Sequence, residues 1–168
     1  MTDYRIIDDV LSEEDLNPLE EYLMGGGCQW NYNDLITEKE DVEFPICMFT
    51  HLFYNYDNNN HIFMASQQLH LVRPILSFLN PTAVKRIKGN MYLNQNQFTY
   101  HGVHTDLPIS HKSALFYVND NNGYTILEDE TKVESKRNRI LLFDGSRPHR
   151  STNCTDAWRR ININFNYF

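Results

Sequence analysis

The sequence predicts an α+β protein that is mainly β, in which early helices pack on one face of a β-sandwich or barrel. Helical spacing of apolar residues is confined to the first 83 residues, whereas from Val84 onward the apolar period changes to two. Turn-rich links separate the strand candidates at the close spacing typical of sandwiches and barrels. Helices followed by a run of strands favour packing of those helices against one sheet.

Length and composition predict one globular domain over 1–168, with a helical and irregular support region at 1–83 and the β core at 84–168. The net charge of -7 argues against non-specific binding to a phosphate backbone. No apolar leader follows Met1 and no run reaches membrane-spanning length, so we expect a cytoplasmic protein without membrane contact. Nothing in the sequence bears on oligomeric state.

Three widely spaced cysteines are present, and no Cys-x-x-Cys pair occurs. An odd number without such a pair is typical of free thiols, and it disfavours both a disulfide framework and a cysteine zinc site.

The N-terminal half is expected to contain one short strand and two helices. Residues 4–10 are typical of a strand, and Ser12 then begins a helix with acids in its first turn, which Gly25 ends. The aromatic segment 28–60 is expected to mix short strands and loops over a sheet. Apolar spacing predicts a second helical stretch over 61–79.

The C-terminal half is expected to be a series of strands. The candidates are 84–93, 97–105, 112–118, 123–127, 131–135, 139–143 and 159–167.

His104 and Asp106 are the first candidates for chemistry. Side chains two apart on a strand share a face, so this pair would present an imidazole beside a carboxylate. Alone, such a pair is more often a surface doublet or a structural hydrogen bond. His149 strengthens the case because it follows a buried-type strand, 140–143, and a tight turn, at the rim where pockets form. Two histidines and one carboxylate suit Fe(II), since they leave coordination positions open.

Arg160 is a candidate carboxylate anchor. In the last predicted strand the polar residues 160, 162, 164 and 166 share one face, and 161, 163 and 165 share the other. If the apolar face packs on the core, Arg160 lies in a sheltered row of donors, where a guanidinium binds a carboxylate bidentately. Arg159 has the apolar parity and is the weaker candidate. The alternative is an edge strand with an ordinary solvated face.

The order of these motifs resembles that of the Fe(II)- and 2-oxoglutarate-dependent oxygenases, in particular the prolyl-4-hydroxylase-like branch and its phage-encoded relatives. The resemblance covers about Val84 to Phe168. It is carried by His104-x-Asp106, Phe116–Asn119, Gly123–Thr125, the basic and then apolar segment Lys136–Asp144, His149 and Arg160.

The resemblance implies a double-stranded β-helix, the jelly-roll or cupin-like core, with the N-terminal helices on one sheet and a metal at its open end. His104, Asp106 and His149 would be the catalytic metal ligands. The implied cofactors are Fe(II), 2-oxoglutarate as co-substrate and O2, with ascorbate in a supporting role.

The resemblance also assigns two tyrosines. Tyr117 would join Arg160 at the 2-oxoglutarate carboxylate, and Tyr92 is similar to the family's pocket tyrosine, although a core aromatic is an equal alternative. Asp106 favours hydroxylation, because halogenating members lack this carboxylate. The glycine-rich turn is reduced to Gly123–Thr125, so the substrate is left open between a protein side chain, prolyl-type or other, and a small molecule.

Two other function classes are alternatives for this sequence. A non-catalytic cupin-like metal-binding module would keep the barrel without turnover. A nucleic-acid-modifying oxygenase is disfavoured by the acidic chain and because the Arg159–Arg160 pair replaces the Arg-x5-Arg signature of that group.

Overall fold

The computed structural model describes residues 3–36, 47–57 and 62–168, which form a helical layer, a large antiparallel sheet and a small antiparallel sheet. The large sheet has the order β1-β9-β6-β11-β5-β3-β2, with β4 paired to β3. Its strands are β1 (Arg5–Ile7), β2 (Asn31–Asn33), β3 (Met48–Asp57), β4 (Ile62–Ala65), β5 (Val84–Leu93), β6 (Lys112–Tyr117), β9 (Arg139–Asp144) and β11 (Arg159–Tyr167). The small sheet, β10-β7-β8, contains β7 (Tyr124–Leu127), β8 (Lys132–Glu134) and β10 (His149–Ser151).

The helical layer covers one face of the large sheet. Helix α1 (Glu13–Met24) begins after Ser12, whose hydroxyl accepts a hydrogen bond from the Asp15 amide at 3.3 Å, and ends at Gly25 as predicted. Its residues Leu16, Leu19 and Leu23 are fully buried. A 3-10 helix (Gln67–Val72) leads directly into α2 (Arg73–Leu79).

Alternation along β11 divides the interior into two cores. Ile161, Ile163 and Phe165 pack with the leucines of α1 in a core between the helices and the large sheet. A second core lies between the two sheets and includes Leu127 of β7 and Leu141 of β9. The predicted fold class, mainly β with helices on one sheet, is confirmed.

Two predictions in the N-terminal half need correction. The strand predicted at 4–10 ends at Ile7, because Asp9 adopts a positive φ of 55° and turns the chain. The helix predicted over 61–79 is wrong in its first part. Residue 61 lies outside the described residues, and 62–65 form β4, whose pairing with β3 overrides the helical spacing. The helical part begins only at Gln67.

The strand predicted at 97–105 is also wrong. This segment makes only the isolated bridges Tyr100–Thr152 and His104–His149. Here the Asn153 side chain takes the place of the main-chain hydrogen bonds of a neighbouring strand. Its oxygen accepts from the Thr99 amide at 2.9 Å, and its amide donates to the Gln97 carbonyl at 2.8 Å. Side-chain bonds of this kind compete with regular pairing. The short strand β10 was not predicted.

Two further expectations concern the membrane and the cysteines. Neither α1 nor α2, nor any other helix in the described parts of the chain, has the length and hydrophobicity needed to span a membrane. Cys28, Cys47 and Cys154 are free thiols, as predicted.

Candidate active site

The triad residues and Tyr92 line a cleft between the two sheets, and Arg160 and Tyr117 lie buried against Thr125 of its wall. On the large sheet it is lined by alternate residues of β5 and β11, and on the small sheet by β7 and β10. Its lining residues are Ile36, Met48, Lys88, Asn90, Tyr92, His104, Asp106, Leu115, Thr125, Phe143, His149, Ser151, Asn162 and Asn164.

The structure brings His104, Asp106 and His149 together, with one donor atom of each within 4.8 Å of the others. His104 and His149 form an isolated antiparallel bridge, in which each amide donates to the other's carbonyl at 2.9 Å. The Asp106 amide donates to the Gly145 carbonyl at 2.9 Å. Main-chain pairing therefore aligns the three residues, although 97–105 is not a strand.

Both triad imidazoles are oriented by main-chain carbonyls. His104 Nδ1 lies 3.1 Å from the Gly102 oxygen, and His149 Nδ1 lies 3.0 Å from the Arg147 oxygen. Because a carbonyl oxygen only accepts, each Nδ1 carries a hydrogen, so in the neutral imidazole it is Nε2 that presents the lone pair. This arrangement is the one that metal-ligating histidines adopt.

Three side chains hold the Asp106 carboxylate by donating hydrogen bonds to it. Ser113 Oγ lies at 2.6 Å, Asn164 Nδ2 at 2.8 Å and Asn166 Nδ2 at 2.9 Å. The Arg86 guanidinium stands 3.7 Å away. The polar face of β11, predicted as a row of donors, therefore orients the carboxylate of the triad.

The protonation states suit metal binding. Burial raises the pKa of Asp106, but the neighbouring His149, the Ser113 hydroxyl and Arg86 outweigh it and hold this pKa below its ordinary value. Burial, followed by the proximity of His149, lowers the pKa of His104. An ionised carboxylate and a neutral imidazole are the forms that bind a cation.

Arg160 is fully buried among neutral groups, which include Thr125 and Ser151 of the cleft wall. It donates to Ser135 Oγ at 2.8 Å, to Ser151 Oγ at 2.5 Å and to Thr125 Oγ1 at 3.2 Å. No carboxylate of the described residues pairs with it. Buried charges in proteins are normally paired, so this guanidinium is suited to an anionic ligand.

Tyr117 and Tyr92 both lie against Arg160. The guanidinium carbon is 5.7 Å from the Tyr117 ring centre and 5.5 Å from the Tyr92 ring centre. Tyr117 is fully buried and donates to Thr125 Oγ1 at 2.9 Å, so it meets Arg160 at a shared hydroxyl. Burial raises its pKa, which keeps the phenol protonated.

His101 and Asn90 carry buried polar atoms without a partner among the described residues. These atoms are both ring nitrogens of His101 and the side-chain oxygen of Asn90. His101 is 3 % exposed and stacks on Tyr92 with ring centres 4.7 Å apart. Burial, and then the nearby Arg160 charge, lower its pKa to about 3. Unsatisfied buried polar atoms cost free energy, so they indicate that this end of the cleft accommodates a polar ligand.

Lys88 is a charged cleft residue that the sequence did not identify as part of the site. It lies on β5 in register with Asn164 and lines the same cleft as the triad. Burial, reinforced by Arg86, lowers its pKa to about 8. Its position could have been found from the sequence, because Lys88, Asn90 and Tyr92 are spaced two apart on a confirmed strand.

The residues present fit the metal and co-substrate implied by the resemblance. Two Nε2 lone pairs and one carboxylate suit Fe(II), and the unpaired Arg160 suits the far carboxylate of 2-oxoglutarate. The triad lines the cleft beside Asn164, and Arg160 contacts Thr125, Ser151 and Tyr92, which line the same cleft.

Comparison with known proteins supports the fold. No protein-family model matches the sequence, and no curated protein matches it significantly. Solved structures do match. A 2OG-Fe(II) oxygenase-family oxidoreductase from Burkholderia pseudomallei superposes with a TM-score of 0.70 at 8 % identity, over 98 % of this chain and 84 % of that one.

Two other matches differ in activity. A viral collagen prolyl hydroxylase from Paramecium bursaria Chlorella virus-1, solved with 2OG, gives a TM-score of 0.63 at 14 % identity, over 97 % of this chain and 94 % of that one. The non-heme α-ketoglutarate-dependent epimerase SnoN, from nogalamycin biosynthesis, gives 0.65 at 11 % identity, over 99 % and 78 %. The chain therefore has the double-stranded β-helix fold of the 2-oxoglutarate- and Fe(II)-dependent oxygenases.

Proposed function

We propose that the protein is an Fe(II)- and 2-oxoglutarate-dependent dioxygenase that hydroxylates its substrate while 2-oxoglutarate is converted to succinate and CO2. The observation that carries this proposal is the combination of the His104–Asp106–His149 triad, which lines the cleft, with a buried Arg160 that contacts the cleft wall and has no carboxylate partner among the described residues. A triad alone would fit a metal-binding module, whereas the second anion site calls for a co-substrate.

Each residue has a defined role in this proposal. His104, Asp106 and His149 hold Fe(II), while Arg160 and Tyr117 hold the far carboxylate of 2-oxoglutarate. Tyr92 closes the pocket against Arg160 and His101. When bound, the iron supplies the oxidative chemistry with O2. The protein orients the co-substrate and excludes water, since the residues around Arg160 are buried.

The substrate class is a finer part of the proposal. One structural match is a prolyl hydroxylase and another is an epimerase, so the fold admits more than one reaction. Hydroxylation is favoured because Asp106 keeps its carboxylate. Both a protein side chain, including proline, and a small molecule remain substrates to test.

Two measurements test the activity. We expect succinate formation with Fe(II), 2-oxoglutarate and ascorbate under air, and its loss in His104→Ala. We also expect Arg160→Met to weaken 2-oxoglutarate binding about 10- to 100-fold, the effect of a charge-assisted hydrogen bond. Arg159→Met is the matched control, because Arg159 donates to the Met24 carbonyl outside the cleft. Equal 2-oxoglutarate affinities in the two variants would contradict the anchor.

The two other function classes give different results. A non-catalytic metal-binding module would bind a divalent metal without forming succinate above the His104→Ala background. A nucleic-acid-modifying oxygenase would bind single-stranded DNA or RNA with an affinity that falls as salt rises. The net charge of -7 disfavours this last class.

A further inference from the structure

Lys88 brings a second positive charge into the cleft. It lies on the inner face of β5, paired in register with Asn164 of β11 and Leu52 of β3. Asn164 in turn donates to Asp106 at 2.8 Å. Lys88 therefore lies beside the metal triad, whereas Arg160 pairs with Tyr92, four residues further along β5. At about 3.3 Å per residue, the two cations are attached to the sheet about 13 Å apart.

No structural role accounts for this lysine. No described residue accepts a hydrogen bond from its ammonium or forms an ion pair with it. The nearest charges are Arg86, which repels it, and Asp106, which is already held by three donors and positioned for a metal. A half-buried ammonium that no hydrogen bond or ion pair of the described residues satisfies costs free energy, so a cleft built only for stability would not favour it.

The co-substrate leaves Lys88 without an anion. Of the two carboxylates of 2-oxoglutarate, one would have its negative charge balanced by Fe(II) and the other by Arg160. Lys88 remains as an unmatched cation in the cleft, next to the apolar side chains of Met48 and Phe143. An ammonium beside an apolar wall is complementary to an organic acid with a hydrocarbon portion.

Building on the proposed function, we propose that Lys88 binds a carboxylate of the primary substrate, and that this substrate is a small organic acid. The main-chain carboxyl group of an internal peptide residue is an amide and offers no such anion. Lys88 is thus a specificity-determining residue, which selects acids over the corresponding amides and holds the hydrocarbon portion beside the metal.

The test is calorimetric titration of the protein loaded with Zn(II) and 2-oxoglutarate, which does not turn over. The probes are matched pairs, L-proline with L-prolinamide and 4-methylpentanoate with 4-methylpentanamide. We expect at least one acid to bind, with its amide about tenfold weaker or worse. We expect Lys88→Met to remove that preference and to leave 2-oxoglutarate affinity within about twofold. Lys112→Met is the matched control, because Lys112 is an exposed lysine at the start of β6.

The remaining outcomes are decisive. Binding of neither acid, equal binding of acid and amide, or loss of 2-oxoglutarate affinity in Lys88→Met would each overturn the assignment. A lower melting temperature in Lys88→Met would indicate a structural role, whereas the proposal expects it unchanged or raised. If Lys88→Met does not fold, Lys88→Gln gives the same comparison with a neutral donor. Failure of the wild-type protein to bind 2-oxoglutarate would overturn the proposed function instead.

Discussion

At the scale of single residues, the site depends on side chains that would not touch iron. Asp106 is oriented by Ser113, Asn164 and Asn166, and Arg160 by Ser135, Ser151 and Thr125. Such supporting hydrogen bonds fix the geometry and the protonation state of the groups they contact. Small polar residues facing inward on β11 and on the small sheet therefore determine how well the cleft binds its ligands.

The support of Asp106 leads to a first prediction. Asn164→Ala removes the 2.8 Å hydrogen bond to the carboxylate and should weaken Mn(II) or Fe(II) binding about 10- to 100-fold, as loss of a residue that supports a ligand does. Metal titration in the absence of oxygen measures this. Asn162→Ala is the control, because the Asn162 side chain contacts Asn90 at 3.0 Å and not Asp106. An equal loss of affinity in both variants would contradict the assignment.

His101 gives a prediction for pH dependence. Its pKa is about 3 in the folded protein, whereas an unfolded chain has the ordinary value of 6.5. The unfolded state therefore takes up a proton first, and stability is lost as the pH falls from 6.5 towards 3. At pH 5 the loss from this residue should be about 2 kcal/mol.

His101→Phe keeps the stacking on Tyr92 but cannot be protonated. Its free energy of unfolding, measured with urea at pH 7 and pH 5, should fall less than that of the wild-type protein by about 2 kcal/mol. Parallel losses in the two proteins would show that His101 is protonated as readily in the folded state as in the unfolded state.

At the scale of elements, two glycines in turns lie very close to the side chains that form or support the site. A Cβ atom added at Gly123 would lie 2.6 Å from Arg160 Cδ and 2.5 Å from the Asn153 oxygen. One added at Gly145 would lie 2.0 Å from Ser113 Oγ and 2.4 Å from His111 Nε2. The turn at Gly123 therefore lies against Arg160. The turn at Gly145 lies against Ser113, which donates a hydrogen bond to Asp106.

Substitution of these glycines should separate the two binding functions. We expect Gly123→Ala to weaken 2-oxoglutarate binding more than metal binding, and Gly145→Ala to weaken metal binding more. The two dissociation constants, measured for each variant, test this. Gly26→Ala is the control, because an added Cβ there meets nothing within 4 Å. The same ratio of effects in both variants would contradict the separation.

The elements also show what could be predicted from the sequence. The bounds of β5 and β11 were predicted as the structure has them, and the alternation of polar and apolar residues from Arg160 to Tyr167 separated the buried Arg160 from Arg159. The irregular structure of 97–105 could not be predicted in the same way. The Thr99 amide bonds to the side chain of Asn153, 54 residues later in the sequence, where a strand would bond to a neighbouring main chain. The bridge between His104 and His149 depends on similarly distant pairing, which local patterns do not encode.

At the scale of the whole molecule, strands from both ends of the chain lie in one sheet. β1 pairs with β9 and β3 pairs with β5, so residues before Val84 extend the sheet that carries the site. We propose on this basis that 1–168 is a single domain. The N-terminal region is more than a helical support, because its described residues supply β1, β2, β3 and β4 as well as α1 and α2.

The helical layer should accordingly contribute to the stability of the whole molecule. Leu19 of α1 is fully buried and packs in the core that contains Ile163 of β11, while the opposite face of β11 carries the polar row of the cleft. Leu19→Ala should lower the free energy of unfolding by about 2–5 kcal/mol, the cost of truncating a buried leucine. Leu35→Ala, at a position 44 % exposed, is the control and should change it by less than about 0.5 kcal/mol. Urea unfolding followed by both circular dichroism and tryptophan fluorescence measures these changes. If the chain unfolds as one domain, the two probes should report the same unfolding midpoint, shifted by the same amount in Leu19→Ala.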